Sequence, residues 1–328
     1  MGIARFWDLE QASNTWVKNA ILRLLLFEEI FMGSDPVISH LQAEQMIAAY
    51  RSGAVELSVS LDLERSRQTL ALSGAGVLTP DALLIPWADI EGVASRPKGC
   101  FAWQGSRFEE LYGLSEQTGW TYRLVPTTEA PALHLAGFTM HRMDGISPRQ
   151  GALEMVHALG SPKGDVLDTA TGLGYAAIGL AEQARRVVTI ERDPAVRELC
   201  RWNPWSEELF SSDHIELLLG DSAELIPDMA DEAFGAILHD PPSMSLAGDL
   251  YGGPFYRQLY RILKPDGRLF HYIGDPKSAF GNSVTKGVIR RLGEAGFISI
   301  EPKTRAFGIV AHKAGRVLRV RQHRKGGR

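Results

Sequence analysis

The feature that most constrains this chain is a regular alternation beginning at Gly164. Strand-like "DVLDTA" precedes helix-like "GYAAIGLAEQA", and "RVVTIE" precedes "DPAVRELCRWN". "HIELLLGD" leads into the short "SAELIPDM", "FGAILHD" into "GPFYRQLYRILK", and "GRLFHYIG" into "KGVIRRLGEAG". Two β-rich runs, "FISIEP" and "FGIVAHK", then read as a closing hairpin. Strands alternating with helices over short connections predict an open, mostly parallel, doubly wound α/β sheet covered on both faces. In such sheets ligands sit beyond the carboxyl ends of the strands, so the residues ending each strand are the ones to read for chemistry.

The front half has a different rhythm. "VELSVSLD", "RQTLALSG", "GVLTPDALLIPW", "TYRLVPT" and "PALHLAG" read as short strands separated by turns, behind helical stretches at 6–31 and 38–51. Ser147 as N-cap with Pro148 at the first helical position opens the alternating part. The expected organisation is a helical extension at 1–37, a β-rich domain at 38–146, the α/β domain at 147–313 and a basic tail at 314–328. Met32 reads as an alternative start, which makes the first 31 residues an upstream extension. The 328 residues are enough for two cores, and 45% hydrophobic with 23% charged residues is the balance of a globular rather than a disordered chain. The most apolar segment, "AILRLLLFEEIF", is cut by Arg23, Glu28 and Glu29 and falls short of the roughly 18 apolar residues of a span, so no membrane association and a cytoplasmic location are expected. Cys100 and Cys200 stand alone, without C-x-x-C or histidine at ligand spacing, so they are expected as reduced structural thiols with no metal site. Nine basic residues and no acid follow Glu301, although the whole chain sums to −4. That basic end is either a nucleic-acid contact or a solvated tail.

The strand ends carry the chemical signal. "VLDTATGLGY" closes a buried strand on Asp168 and turns through Gly172 and Gly174 into a helix. It is not G-x-G-x-x-G, so the dinucleotide fingerprint is not met. The spacing D-x-x-x-G-x-G resembles the first motif of class I S-adenosylmethionine-dependent methyltransferases, and the order of later features extends the resemblance over residues 148–313. The second strand ends at Glu191, the third at Asp221 and the fourth at "HDPPS". The resemblance implies a Rossmann-like fold in which Asp168, Thr169, Gly172 and Gly174 meet the methionine part of S-adenosyl-L-methionine. It places Glu191 on the ribose, Asp221 and Ser222 at the adenine, and Arg192 or Asp193 beside the purine. "RWNPWS", after the second helix, either touches the cofactor or caps that helix, and Pro204 ends the helix in both cases.

In methyltransferases that act on planar amino groups the fourth strand ends in Asp/Asn-Pro-Pro and an aromatic. Asp240, Pro241 and Pro242 fit, and Ser243 stands where the aromatic is expected. A carboxylate there accepts or orients the proton of a nitrogen nucleophile. Cytosine C5 chemistry needs a cysteine nucleophile, and no cysteine ends a strand. The longer stretch "DPPSMSLAGDLYGGPFYRQLYRILKPDGRLF" is similar to spermidine synthase-like aminopropyltransferases, which place a small β domain before the same fold and use decarboxylated S-adenosylmethionine. The combination of "GLGY", "NPWS", "HDPP" and "FHY" resembles a group of uncharacterised, archaeal-type predicted methyltransferases. The expectation is therefore a methyltransferase acting on nitrogen through Asp240, with aminopropyl transfer or a non-catalytic RNA-binding module as alternatives. His239 and Tyr251 are further catalytic candidates, and His271 is a neighbouring histidine at a strand end. Pro241, Pro242, Ser243, Tyr256, His141 and Arg142 are candidates for the acceptor side. The acceptor is expected to be a small-molecule amine or RNA, and a homodimer is open.

Overall fold

The computed structural model of the chain describes residues 35–244, 246–275 and 279–315. The expectations for residues 1–34 and for the basic tail from 316 onward lie outside the described residues.

Seven strands carry the second half. They are β12 (Asp165–Asp168), β13 (Arg186–Glu191), β14 (Ile215–Leu219), β15 (Phe234–His239), β16 (Leu263–Tyr272), β17 (Ile298–Lys303) and β18 (Gly308–His312), numbered after eleven short strands in the front half. Their order in the sheet is β14-β13-β12-β15-β16-β18-β17. The first five are parallel, and β18 runs antiparallel to both neighbours. This is the Rossmann-like, doubly wound arrangement expected from the sequence, closed by the expected hairpin. The central strands are buried on both faces, which is why "VLD", "VVTIE" and "AILH" read as unbroken apolar runs rather than alternations. The chain order reverses direction beside β12, between β12 and β15, and opens the crevice where such sheets bind ligands.

The front half folds into three small antiparallel sheets. β1 (Val37–Ser39), β6 (Cys100–Trp103) and β7 (Phe108–Glu110) form one. β2 (Glu56–Val59), β3 (Gln68–Ser73), β4 (Gly76–Leu78) and β5 (Leu84–Pro86) form the second. β8 (Tyr112–Leu114), β9 (Thr121–Val125), β10 (Ala132–Leu135) and β11 (Phe138–Thr139) form the third. The helix expected at 38–51 begins at His40, because Val37–Ser39 pair with Cys100–Ala102 instead. Trp87–Ala94 is a helix where the pattern suggested only the end of a strand.

The third sheet is what reaches the site. Leu124, Leu133 and Leu135 share one core cluster with Met155, Leu173 and Val196 of the α/β half. Ser147 caps the helix Pro148–Leu159 by accepting from the Gln150 N–H at 3.2 Å, and that helix packs against β15, β16 and β18. Among the described residues no helix is long and apolar enough to cross a membrane.

Candidate active site

The turn after β12 is shaped by backbone freedom and held by side chains behind it. Gly172 and Gly174 have φ of +54° and +80°, a region L-residues enter only at a cost. A Cβ on Gly174 would also stand 3.0 Å from Leu209, whereas one on Gly172 would meet no protein atom within 4 Å. The "NPWS" segment braces this turn from outside. Asn203 ends the helix Pro194–Trp202, and its amide donates to Tyr175 Oη at 3.0 Å and to Ser206 Oγ at 2.8 Å. Ser206 in turn donates to the Leu173 carbonyl at 2.7 Å. The segment therefore supports the turn and does not line the cavity in front of it.

Asp168 faces inward. Its carboxylate is fully buried and accepts from Thr189 Oγ1 at 2.7 Å, while Thr171 donates to the same Thr189 at 2.7 Å. Burial pushes the Asp168 carboxyl up to about 7, against the opposing pull of Thr189 and the Ala170 N–H. Asp168 and Gly174 thus stand behind the cavity wall, and Thr169, Ala170, Thr171 and Gly172 form it. That differs from the expected role of Asp168, because Thr189, itself held by Thr171, claims the carboxylate.

At the next two strand ends the acids do face the cavity. Glu191 accepts from the N–H groups of Gly172 at 3.0 Å and Asp193 at 2.9 Å, and burial carries its carboxyl up to about 7. Asp221 caps the helix Ser222–Leu225 through the Ala223 N–H at 2.8 Å and pairs with Arg192 at 3.3 Å. Ser222 donates to the Thr169 carbonyl at 2.5 Å and ties this end to the glycine turn. Asp193, buried as the N-cap of Pro194–Trp202, accepts from Tyr122 Oη at 2.8 Å. This contact brings β9 to the cavity, and nothing in the front half of the sequence signalled it.

The fourth strand ends in Asp240, which lines the same cavity with Pro241 and Pro242. Burial raises its carboxyl to about 7, with the charge of Asp168 a second contribution. Among the described residues the Asp240 carboxylate makes no hydrogen bond, so its lone pairs are open to a ligand. The loop Leu246–Leu250, Tyr272, Ala306, His141 and Arg142 complete this end. The whole cavity has a volume of about 310 Å³ and is roofed by Trp120, just before β9, and by Tyr122, Leu133 and Leu135 of the third sheet.

The histidines play a different part from the one expected. His239 is fully buried and outside the cavity lining. Its Nε2–H donates to the Leu250 carbonyl at 3.0 Å, which leaves Nδ1 to accept from the Thr169 hydroxyl at 2.6 Å. His239 therefore pins the acceptor-side loop to the glycine turn and has no nitrogen left for proton transfer. His271 is equally committed, donating from Nδ1 to the His239 carbonyl at 3.3 Å and accepting from Tyr256 Oη at 2.9 Å. Burial holds both rings neutral, with His239 lowered to about 4. Tyr256, fully buried, belongs to this packing, and Tyr251 donates to the Pro242 carbonyl at 3.2 Å from behind the wall. Ser243 is exposed and also outside the lining. His141 does line the cavity; its Nδ1 accepts from the Leu133 N–H at 3.1 Å, and burial lowers it to about 4, so its remaining nitrogen carries the proton. Among the described residues no cluster of His, Cys, Asp and Glu is placed to hold a metal, and Cys100 and Cys200 are buried free thiols.

No protein-family model matches the chain. It is 44% identical over 206 residues to the uncharacterised protein MJ1233 of Methanocaldococcus jannaschii, a match covering 62% of this chain and 71% of that protein. It is 30% identical over 142 residues to polyamine aminopropyltransferase 2 of Streptomyces coelicolor, across 40% of this chain and 26% of that one. Among solved structures, a spermidine synthase in complex with the transition-state analogue AdoDATO superposes with a TM-score of 0.52 at 18% identity, over 62% of this chain and 73% of that chain. Spermidine synthase from Thermotoga maritima gives 0.50 at 17%, over 62% and 72%. These two likenesses show a common fold.

Proposed function

We propose that this chain, which belongs to the same family as the Methanocaldococcus jannaschii protein MJ1233, is a transferase that binds S-adenosyl-L-methionine and passes its methyl group to a nitrogen nucleophile held at Asp240. The observation that carries the reading is Asp240 itself. It is a carboxylate without a protein partner among the described residues, in one cavity with the glycine turn and the strand-end acids Glu191 and Asp221.

The residues fit the cofactor. Gly172 leaves open room against its own backbone, and Glu191 and Asp221 offer acceptors for ribose hydroxyls and an adenine amino group. Bound there, the cofactor supplies an electrophilic carbon next to a sulfonium. Asp240 orients the attacking nitrogen and takes the proton it sheds, and a carboxyl near 7 is well matched to both roles at neutral pH. The roof of the third sheet and the loop Leu246–Leu250 hold water back and align the reacting groups, the source of much of the rate in such transfers.

Aminopropyl transfer from decarboxylated S-adenosylmethionine is the second reading, favoured by the shared segment with the Streptomyces coelicolor enzyme and the spermidine synthase fold. The roofed cavity supports a small amine as acceptor over an RNA, whose backbone needs an open groove. The test is label transfer from methyl-labelled cofactor, offered with a mixture of small amines and separately with RNA. Wild type is expected to label the amine fraction, and Asp240→Asn to lose about 10²–10⁴-fold in rate while cofactor binding is kept. Collapse of cofactor binding in that variant would assign Asp240 to the cofactor instead.

A further inference from the structure

The acceptor end of the cavity holds two opposite charges that do not meet. Arg142 and Asp240 both line it, yet among the described residues Arg142 forms no ion pair. The Tyr272 hydroxyl lies within the field of both: burial first, and then Asp240, push its ionisation up, while Arg142 opposes them.

Arg142 is held in place by a built support. Its guanidinium carbon sits 3.9 Å from the centre of the Phe307 ring, and one terminal nitrogen donates to the Arg305 carbonyl at 3.0 Å. Phe307 has φ of +53°, a conformation a bulky residue rarely adopts, at the end of the turn Thr304–Ala306 that joins β17 to β18. That turn is anchored from the other side by Arg305, which pairs with Glu154 at 2.6 Å. So a strained residue and the Arg305–Glu154 ion pair fix the plane of a guanidinium beside the cavity. The guanidinium Nε is buried and has no hydrogen-bond partner among the described residues. Buried donors are nearly always satisfied, so an orphan on a residue lining the cavity points to an acceptor supplied by a ligand.

From this geometry we infer that Arg142 binds the α-carboxylate of the cofactor and makes the site select S-adenosylmethionine over its decarboxylated form. A planar guanidinium whose stem and one edge are already fixed presents its remaining donors as a fork, which suits a carboxylate better than any neutral group. A site for the decarboxylated cofactor has an ammonium to hold and nothing for Arg142 to do. The inference rests on the cavity being the S-adenosylmethionine-type site proposed above, and it decides between that proposal's two chemistries.

The experiment is calorimetric titration of the full chain with three ligands: S-adenosylmethionine, decarboxylated S-adenosylmethionine and methylthioadenosine, which lacks the amino-acid end. Wild type is expected to bind the first more tightly than the second by about 10–100-fold, the size of a charge-assisted hydrogen-bonded pair. Arg142→Gln is expected to abolish that preference while affinity for the other two ligands stays within about threefold. Arg142→Lys keeps the charge and is expected to restore part of the preference, which a purely structural role would not do. An Arg142→Gln protein that keeps the full preference, or that loses affinity for all three ligands alike, overturns the inference and leaves the proposed function standing. A wild type that binds none of the three removes both.

Discussion

Replacing His239 by leucine removes the pin between the two halves of the site, and the cost follows from what it holds. The ring is fully buried and makes bonds of 2.6 Å with Thr169 and 3.0 Å with Leu250. Leucine fills much of the same space against Phe255, so packing is largely kept, but both hydrogen bonds go and the Leu250 carbonyl loses its donor. Two lost bonds at about 1 kcal/mol each, plus about 1–2 kcal/mol for a buried group left unpaired, less about 1 kcal/mol regained by burying an apolar side chain, give a loss of about 2–3 kcal/mol. For a chain of this size that is a fall of about 3–5 °C in melting temperature. The pH dependence carries a second, independent signature. His239 is lowered to about 4 in the fold, while an unfolded histidine titrates near 6.5. The unfolded chain therefore takes up the proton first, and wild-type stability from this group is full above about 6.5 and drains away as pH falls toward 4, by about 3 kcal/mol at most. Leucine has no proton to lose, so the gap between wild type and His239→Leu should be widest at pH 7 and close toward pH 4. Urea unfolding at a series of pH values measures both, and amide exchange across 246–251 should speed up in the variant. Equal stability at pH 7, or a gap that does not change with pH, would refute the assignment of His239 as a neutral, doubly bonded pin.

Other perturbations separate stability from binding. Gly172→Ala forces a side chain into a left-handed conformation at about 1–2 kcal/mol, yet meets no protein atom, so a chemical melt should show a modest loss while titration shows a much larger fall in cofactor affinity. Asn203→Ala removes two buried bonds from behind the glycine turn and should cost about 1–3 kcal/mol in unfolding, with affinity falling because the turn is no longer held; unchanged affinity would detach "NPWS" from the site. Tyr122→Phe deletes the 2.8 Å bond to Asp193 and should cost about 1–2 kcal/mol in a thermal melt. Glu191 sits near 7 in the empty cavity, so a ligand that needs it ionised lowers its value and releases a proton on binding. Affinity for S-adenosylmethionine should then rise as pH increases toward about 7 and level off above, at up to about tenfold per pH unit. Titration in buffers of different ionisation enthalpy checks the proton release, and an affinity that falls over that range contradicts it.

The α/β sheet was legible because its central strands are buried on both faces. "VVTIE" and "AILH" have to be apolar throughout, and helices with one apolar face separate them. The acids Glu191, Asp221 and Asp240 were legible for a related reason: a parallel sheet places all its strand ends at one edge, so position in the chain becomes position in space. The front half hid its part. Tyr122, Leu133 and Leu135 reach the cavity through a sheet whose strands are two to five residues long, too short for periodicity to fix partners. The histidines misled for a physical reason as well. A histidine at a strand end looks like a proton shuttle in sequence, and only the partners on both ring nitrogens reveal that His239 and His271 are bonded into the core. Asp168 shows the converse, since Thr189, which bonds its carboxylate, lies 21 residues away, and Thr171, which bonds Thr189, lies 3 away, with no pattern to announce either.

The central claim is that the cavity at the ends of β12, β13, β14 and β15 is a site for S-adenosylmethionine. Its most direct test is calorimetric titration of the full-length wild-type protein with S-adenosylmethionine at pH 7.5. One ligand per chain is expected, displaced by S-adenosylhomocysteine and lost in Gly172→Trp, whose side chain would fill the cavity from the glycine turn. Heat no larger than dilution, or binding that survives Gly172→Trp unchanged, would contradict the account.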